Sequence, residues 1–93
     1  MLSTKRTKIV CTIGPASGDA QKLLALVNAG MNVCRLNFSH GTHADHAALI
    51  QRIREIREQT GEPLAILQDL QGPKIRVGDL PKEGVKLEIG KRI

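Results

Sequence analysis

The densest set of chemistry-bearing residues in this 93-residue chain is the run Arg35-Leu36-Asn37-Phe38-Ser39-His40-Gly41. A strand alternates its side chains between two faces. Arg35, Asn37 and Ser39 would therefore share one side, and Cys34, Leu36 and Phe38 the other. A guanidinium beside an amide and a hydroxyl suits an anionic ligand, because arginine grips phosphate or carboxylate through two parallel hydrogen bonds. An exposed strand end that binds nothing fits those residues equally well. The second set is Gln68-Asp69-Leu70-Gln71-Gly72-Pro73-Lys74-Ile75-Arg76. Asp69, with Asn37 and Ser39, offers oxygens suited to a hard cation rather than a thiophilic metal. One carboxylate among neutral oxygens favours a monovalent ion. Taken alone, an aspartate capping the turn before Gly72-Pro73 is the simpler reading. His40 and Arg76 are candidates for further phosphate contacts. His43 and His46 lack metal-ligand spacing and read as surface histidines. Gly14-Pro15 departs from the G-x-G-x-x-G fingerprint, and no Walker-type loop is present.

The elements that must position these residues follow from periodicity. Thr7 to Ile13 is β-rich and stopped by Gly14-Pro15. Ser17-Gly18-Asp19 signals a helix start, and Ala20, Leu23, Leu24 and Val27 form one helical face ending at Gly30. Asn32 to Ser39 is the second strand. Thr42 with Asp45 resembles a capping box, Leu49, Ile53 and Ile56 continue a second helix, and Gly61 ends it before Pro63. Leu64 to Leu70 is the third strand. The order β-α-β-α-β implies parallel pairing with right-handed crossovers. Periodicity alone leaves a (β/α) barrel and a doubly wound sheet both open. In either, Arg35, Asn37, Ser39 and Asp69 emerge at the carboxyl ends of the strands, where such folds place their sites. Beyond Pro73, residues 74–78 and 85–89 look like short antiparallel strands around turns at 78–81 and 83–84. A parallel sheet with two open edges is poorly protected from aggregation. The chain is therefore expected to be part of a larger protein.

Composition narrows the alternatives. Phe38 is the only aromatic residue, so the core must be aliphatic. No apolar run approaches the roughly 20 residues of a membrane span. Lys5, Arg6 and Lys8 are not followed by a signal-peptide pattern, and a cytoplasmic protein is expected. Cys11 and Cys34, the only cysteines, fit a reducing compartment and the core rather than a disulfide. The net charge of +5 supplies phosphate affinity. Single-strand nucleic-acid binding needs aromatic platforms that one Phe cannot provide. Arg52, Arg54 and Arg57, interleaved with Glu55 and Glu58, read as a solvated helix face.

Three segments together resemble the pyruvate kinase family. Thr7-Lys8-Ile9-Val10-Cys11-Thr12-Ile13-Gly14-Pro15 is similar to its opening strand. Gly30-Met31-Asn32-Val33-Cys34-Arg35-Leu36-Asn37-Phe38-Ser39-His40-Gly41 is similar to its second-strand signature, and Asp69 to Arg76 to its third-strand motif. The resemblance implies a (β/α)8 TIM barrel, with residues 1–73 as its N-terminal portion. Residues 74–93 would be the start of an inserted β domain. It implies phosphoryl transfer from phosphoenolpyruvate to ADP, giving pyruvate and ATP.

The resemblance also implies that Arg35 binds the transferring phosphoryl group. Asn37, Phe38, Ser39, His40 and Arg76 would face the nucleotide. K⁺ would be held by the side chains of Asn37, Ser39 and Asp69 and by the carbonyl of Leu70. Many members carry Asp-Thr-Lys-Gly-Pro-Glu where this chain has Asp69-Leu70-Gln71-Gly72-Pro73-Lys74, so a hydroxyl is lost at Leu70. The family's catalytic lysine and its Mg²⁺ ligands have no counterpart in the chain. No catalytic residue is assigned within it, and the isolated chain is expected to be inactive and only marginally folded. A homotetramer is implied for the full-length protein. The competing expectation is a free-standing anion-binding regulatory module without catalysis.

Overall fold

The computed structural model of the chain describes residues 4–93, so the first three residues of the expected 1–73 unit lie outside the described ones. The element order is β1 (Val10–Thr12), α1 (Ala20–Ala29), β2 (Val33–Asn37), α2 (His43–Thr60) and β3 (Ala65–Asp69). The strands form one parallel sheet in the order β1-β2-β3. β1 is shorter than its β-rich run, because this edge strand pairs only Val10 to Thr12 with Val33 to Arg35.

Local chemistry sets the helix ends. Asp19 caps α1 by accepting from Lys22 N at 2.9 Å, and this bond holds its carboxyl below the usual carboxylate range. Gly30 ends α1 at φ 113°, a left-handed conformation that costs glycine little. Thr42 and Asp45 complete a capping box: Thr42 Oγ1 accepts from Asp45 N at 3.2 Å, and Asp45 Oδ2 accepts from Thr42 N at 2.9 Å. The Thr42 N–H, together with the Thr42 hydroxyl that donates to the same oxygen at 2.8 Å, lowers the Asp45 pKa, with a smaller contribution from nearby His46.

Both helices cover the same face of the sheet. The core unites Leu23 and Val27 of α1, Ile53 and Ile56 of α2, and Cys34 and Leu36 of β2, with Ile13, Met31 and Leu64 at its margins. Sequential strand order with both helices on one face matches the winding of successive (β/α) barrel units, whereas a doubly wound sheet reverses order and covers both faces. Cys11 is half-buried against the core and Cys34 is fully buried, and both are free thiols.

Residues 70–93 depart from expectation. Among the described residues, none in this segment belongs to a strand. Only turns form, closed by Gly84 N to Pro81 O at 2.9 Å and Lys91 N to Glu88 O at 3.2 Å. Ile75 and Ile89 are fully exposed, and Val77 and Leu87 nearly so. An alternating pattern makes a strand only when a partner satisfies its backbone and a layer buries its apolar face, and this segment has neither. The radius of gyration is 18.5 Å, against about 12 Å for a compact domain of this length.

Leu36→Ala is expected to cost about 2–5 kcal/mol in chemical denaturation, because it opens a cavity at a site with no exposure. The exposed Arg54→Ala should stay within about 0.5 kcal/mol. Burial pushes the Cys34 thiol up from 9.0 to about 11, aided by Cys11 and opposed by Arg57. At pH 8 its thiolate fraction is on the order of one in a thousand. Mass-spectrometric mapping of alkylation should find Cys34 protected until the protein unfolds. Since its folded pKa is raised, its contribution to stability is full below pH 9 and is lost as pH rises through about 11.

Candidate functional site

Register decides which side chains meet. Thr12 pairs with Arg35, Arg35 with Leu67, and Asn37 with Asp69, so all these residues project from the face opposite the helices. Arg35 reaches across two neighbouring strands. Its Nε donates to Asp69 Oδ2 at 2.9 Å, its Nη2 donates to the same oxygen, and its Nη1 donates to Thr12 Oγ1 at 3.0 Å. The Arg35 and Asp69 side chains remain 33% and 41% exposed, so a ligand can reach them.

The rim turn is built from side chains as well as backbone. Asn37 Oδ1 accepts from Ser39 N at 3.0 Å, an Asx turn that stops β2, and His40 N donates to Asn37 O at 3.2 Å. His46, on the first turn of α2, donates from Nε2 to His40 O at 2.7 Å. Its ring stacks on Phe38 at 4.1 Å with an interplanar angle of 10°. The turn passes through Gly41 at φ 75°, where an added Cβ would also lie 3.4 Å from His46 Nε2. A cleft of about 930 Å³ opens beside this turn, bounded by Gly14 and Pro15 after β1, by His40 and Gly41, and by Leu49 and Arg52 of α2.

The structure thus gathers four of the expected residues, Arg35, Asn37, Ser39 and Asp69, at the carboxyl ends of β2 and β3. His40 contributes its backbone to the turn, and Phe38 faces the helices as the alternation requires. Leu70 lies just past β3 and is exposed. Arg76 lies in the exposed segment, and among the described residues nothing bonds it to the rim. Sequence reasoning missed three participants. Thr12 is a plain strand residue until register sets it beside Arg35. Lys74 donates from Nζ to Ser39 Oγ at 3.3 Å; its signal was a basic side chain close behind Asp69 in the third-strand segment. His46, read as a surface residue, braces the turn.

The donor set allows a test of fit for K⁺. Asn37, Ser39 and Asp69 supply hard oxygens on one rim, the right chemistry for a monovalent cation. Two of the three are already engaged by cationic groups, Ser39 by Lys74 and Asp69 by Arg35. The rim is thus a candidate monocation subsite to which Lys74 brings its own charge, and K⁺ there would compete with Lys74 for Ser39. Among the described residues no group of three or more His, Cys, Asp or Glu comes together.

The fold and rim define an α/β protein with Arg35, Asn37, Ser39 and Asp69 clustered at the carboxyl ends of parallel strands. The chain belongs to the pyruvate kinase family: the family profile described as "Pyruvate kinase, barrel domain" matches residues 4–93. It is 51% identical over 89 residues to the pyruvate kinase of Chlamydia pneumoniae, covering 90% of this chain and 18% of that protein. Against the pyruvate kinase of Geobacillus stearothermophilus it is 49% identical over 89 residues, covering 96% and 15%. Against that of Mycobacterium intracellulare it is 56% identical over 75 residues, covering 81% and 16%. The chain therefore spans less than a fifth of these relatives.

The turn geometry carries a prediction. His46→Ala removes both the stacking on Phe38 and the bond to the His40 carbonyl. Hydrogen exchange at the His40 amide is expected to quicken about tenfold, the equivalent of one lost hydrogen bond. Amides in α1 should keep their protection. Hydrogen-exchange mass spectrometry of the full-length protein reads both.

Proposed function

We propose that this chain supplies the phosphate-gripping part of a pyruvate kinase site, in which the phosphoryl group of phosphoenolpyruvate passes to ADP. The observation that carries the proposal is the Arg35 guanidinium, held between Thr12 and Asp69 at the strand ends with donors to spare. In the step, the bond from phosphorus to the enol oxygen breaks and one to a terminal oxygen of ADP forms. The enolpyruvate left behind takes a proton on carbon. Positioning and charge neutralisation carry most of such a transfer. Arg35 would orient the phosphoryl oxygens and offset the charge spread over them. The braced turn from Asn37 to His40 would border the nucleotide, whose base the adjoining cleft has room to receive.

Residues 1–73 are then the opening of the barrel, and 74–93 the start of an inserted β domain that becomes ordered with its partner strands. Mg²⁺, which the family resemblance implies, would neutralise phosphate charge and would be held by residues outside this chain. Arg76 would reach the nucleotide once its segment pairs with the rest of that domain. At the monocation subsite, Asn37, Ser39, Asp69 and the Leu70 carbonyl would face a single positive charge. Lys74 would supply that charge, or K⁺ wherever Lys74 withdraws. None of the described helices is long and apolar enough to cross a membrane. We place the protein in the cytoplasm, as a homotetramer when complete.

The test is a coupled assay of pyruvate formation. In the full-length protein Arg35→Lys is expected to lower kcat/KM for phosphoenolpyruvate on the order of 10²–10³-fold, the scale of losing one oriented donor at the developing charge. The 93-residue chain alone should show no turnover. An Arg35→Lys enzyme as active as its parent would sink the assignment. The subsite is tested separately by exchanging K⁺ for tetramethylammonium. The parent protein should lose less than about tenfold in rate, whereas Lys74→Glu should make it strongly dependent on K⁺. Equal dependence in both would remove Lys74 from the subsite.

A further inference from the structure

We infer that Thr12 is a positioning residue for Arg35, fixing the guanidinium from β1 without neutralising it. The inference rests on the reading of Arg35 given above. An arginine side chain carries five N–H donors in a planar fork. Asp69 Oδ2 takes Nε and one N–H of Nη2, and Thr12 Oγ1 takes one N–H of Nη1 at 3.0 Å. One N–H is left on each terminal nitrogen, two donors still available to an oxyanion.

The two partners act differently. Asp69 orients Arg35 but cancels much of its charge, and because both bonds converge on one oxygen the guanidinium can still pivot about that point. Thr12 stops the pivot from the opposite flank with a neutral hydroxyl, so the site keeps positive charge for its ligand. The β-branched side chain is stiff at χ1, which makes it a firm stop.

The plain alternative is that Thr12 serves only as a strand former. Position 12 is exposed in this chain and contributes no core contact, so valine would fill that role as well. What valine lacks is the acceptor facing Nη1. The two explanations therefore separate on a single atom.

The experiment compares Thr12→Val, Thr12→Ser and Arg35→Lys in the full-length enzyme, with steady-state kinetics for phosphoenolpyruvate and ADP and a thermal melt of each variant. Thr12→Val is expected to lower kcat about tenfold, with the KM for ADP and the melting temperature essentially unmoved. Thr12→Ser, which restores the hydroxyl without the methyl, should recover the rate to within about twofold of the parent. If valine disturbs packing in the complete protein and the melt shifts, Thr12→Ala provides the same comparison against Thr12→Ser. A crippled Arg35→Lys enzyme beside a fully active Thr12→Val enzyme overturns the role of Thr12 and leaves Arg35 standing. An unaffected Arg35→Lys enzyme overturns the reading of Arg35 and the inference with it. Equal loss in Thr12→Val and Thr12→Ser assigns the effect to the methyl group, and that too overturns the inference.

Discussion

Burial of Cys34 and Leu36 beneath the two helices fixes the direction of every polar side chain at the rim. Both residues have no exposed surface, and the helices that cover them meet on the same side. Since strand side chains alternate strictly, Arg35 and Asn37 must project from the other face. A slip of one residue in β2 would exchange the two sets, placing a guanidinium under α1 and α2 and two core side chains in water. The penalty for an unpaired buried charge is several kcal/mol, so the register is tightly specified. Site geometry is in this sense a by-product of core burial.

What the sequence made legible was whatever depends on near neighbours. The capping box of Thr42 and Asp45, the Asp19 cap and the left-handed glycines at 30 and 61 lie within a few residues of the groups they satisfy. The alternation in β2 is equally local, and with it the partition of Arg35, Asn37 and Ser39 from Cys34 and Leu36. Pairings between strands are not local. That Thr12 meets Arg35 depends on the register of β1 against β2, and the pairing of Arg35 with Asp69 bridges 34 positions of sequence. Lys74 and His46 escaped for another reason: each acts through one hydrogen bond to a loop whose path no periodicity describes.

The strands expected in residues 74–93 show the opposite error, a local pattern without its tertiary condition. Val85, Leu87 and Ile89 alternate correctly, yet alternation records only which face would be buried if a layer were there to bury it. The sheet has the same property on its site-bearing side, where Val10 is 52% and Leu67 42% exposed. In a closed barrel that side is the interior, filled by layers of side chains from alternate strands. The apolar lower part of this face and its polar rim are then consistent with one requirement. Val10 and Leu67 would pack against other strands, while Asn37 and Asp69, one row beyond Leu67 toward the carboxyl ends, would stay open to a ligand.

Charge at that rim is nearly balanced, and the imbalance sets its chemistry. Arg35 and Lys74 bring two positive charges and Asp69 one negative, leaving about one unit of positive charge among groups that are only partly buried. On the proposed reading, a phosphate ester arriving with two negative charges would meet a site too weakly positive to hold it by attraction alone, since water and salt screen exposed pairs. Binding would then rely on geometry: donors already aimed, so that little reorganisation is needed when the anion replaces water. It also explains the value of pairing Arg35 with Asp69 through a single oxygen. The carboxylate holds the guanidinium in place, and the pair's partial exposure keeps it weak enough that an incoming phosphate could share the arginine rather than displace the aspartate. On the proposed reading, the surplus charge needed to stabilise a transferring phosphoryl group would come from cations beyond this chain, and the cluster by itself would grip its ligand without turning it over.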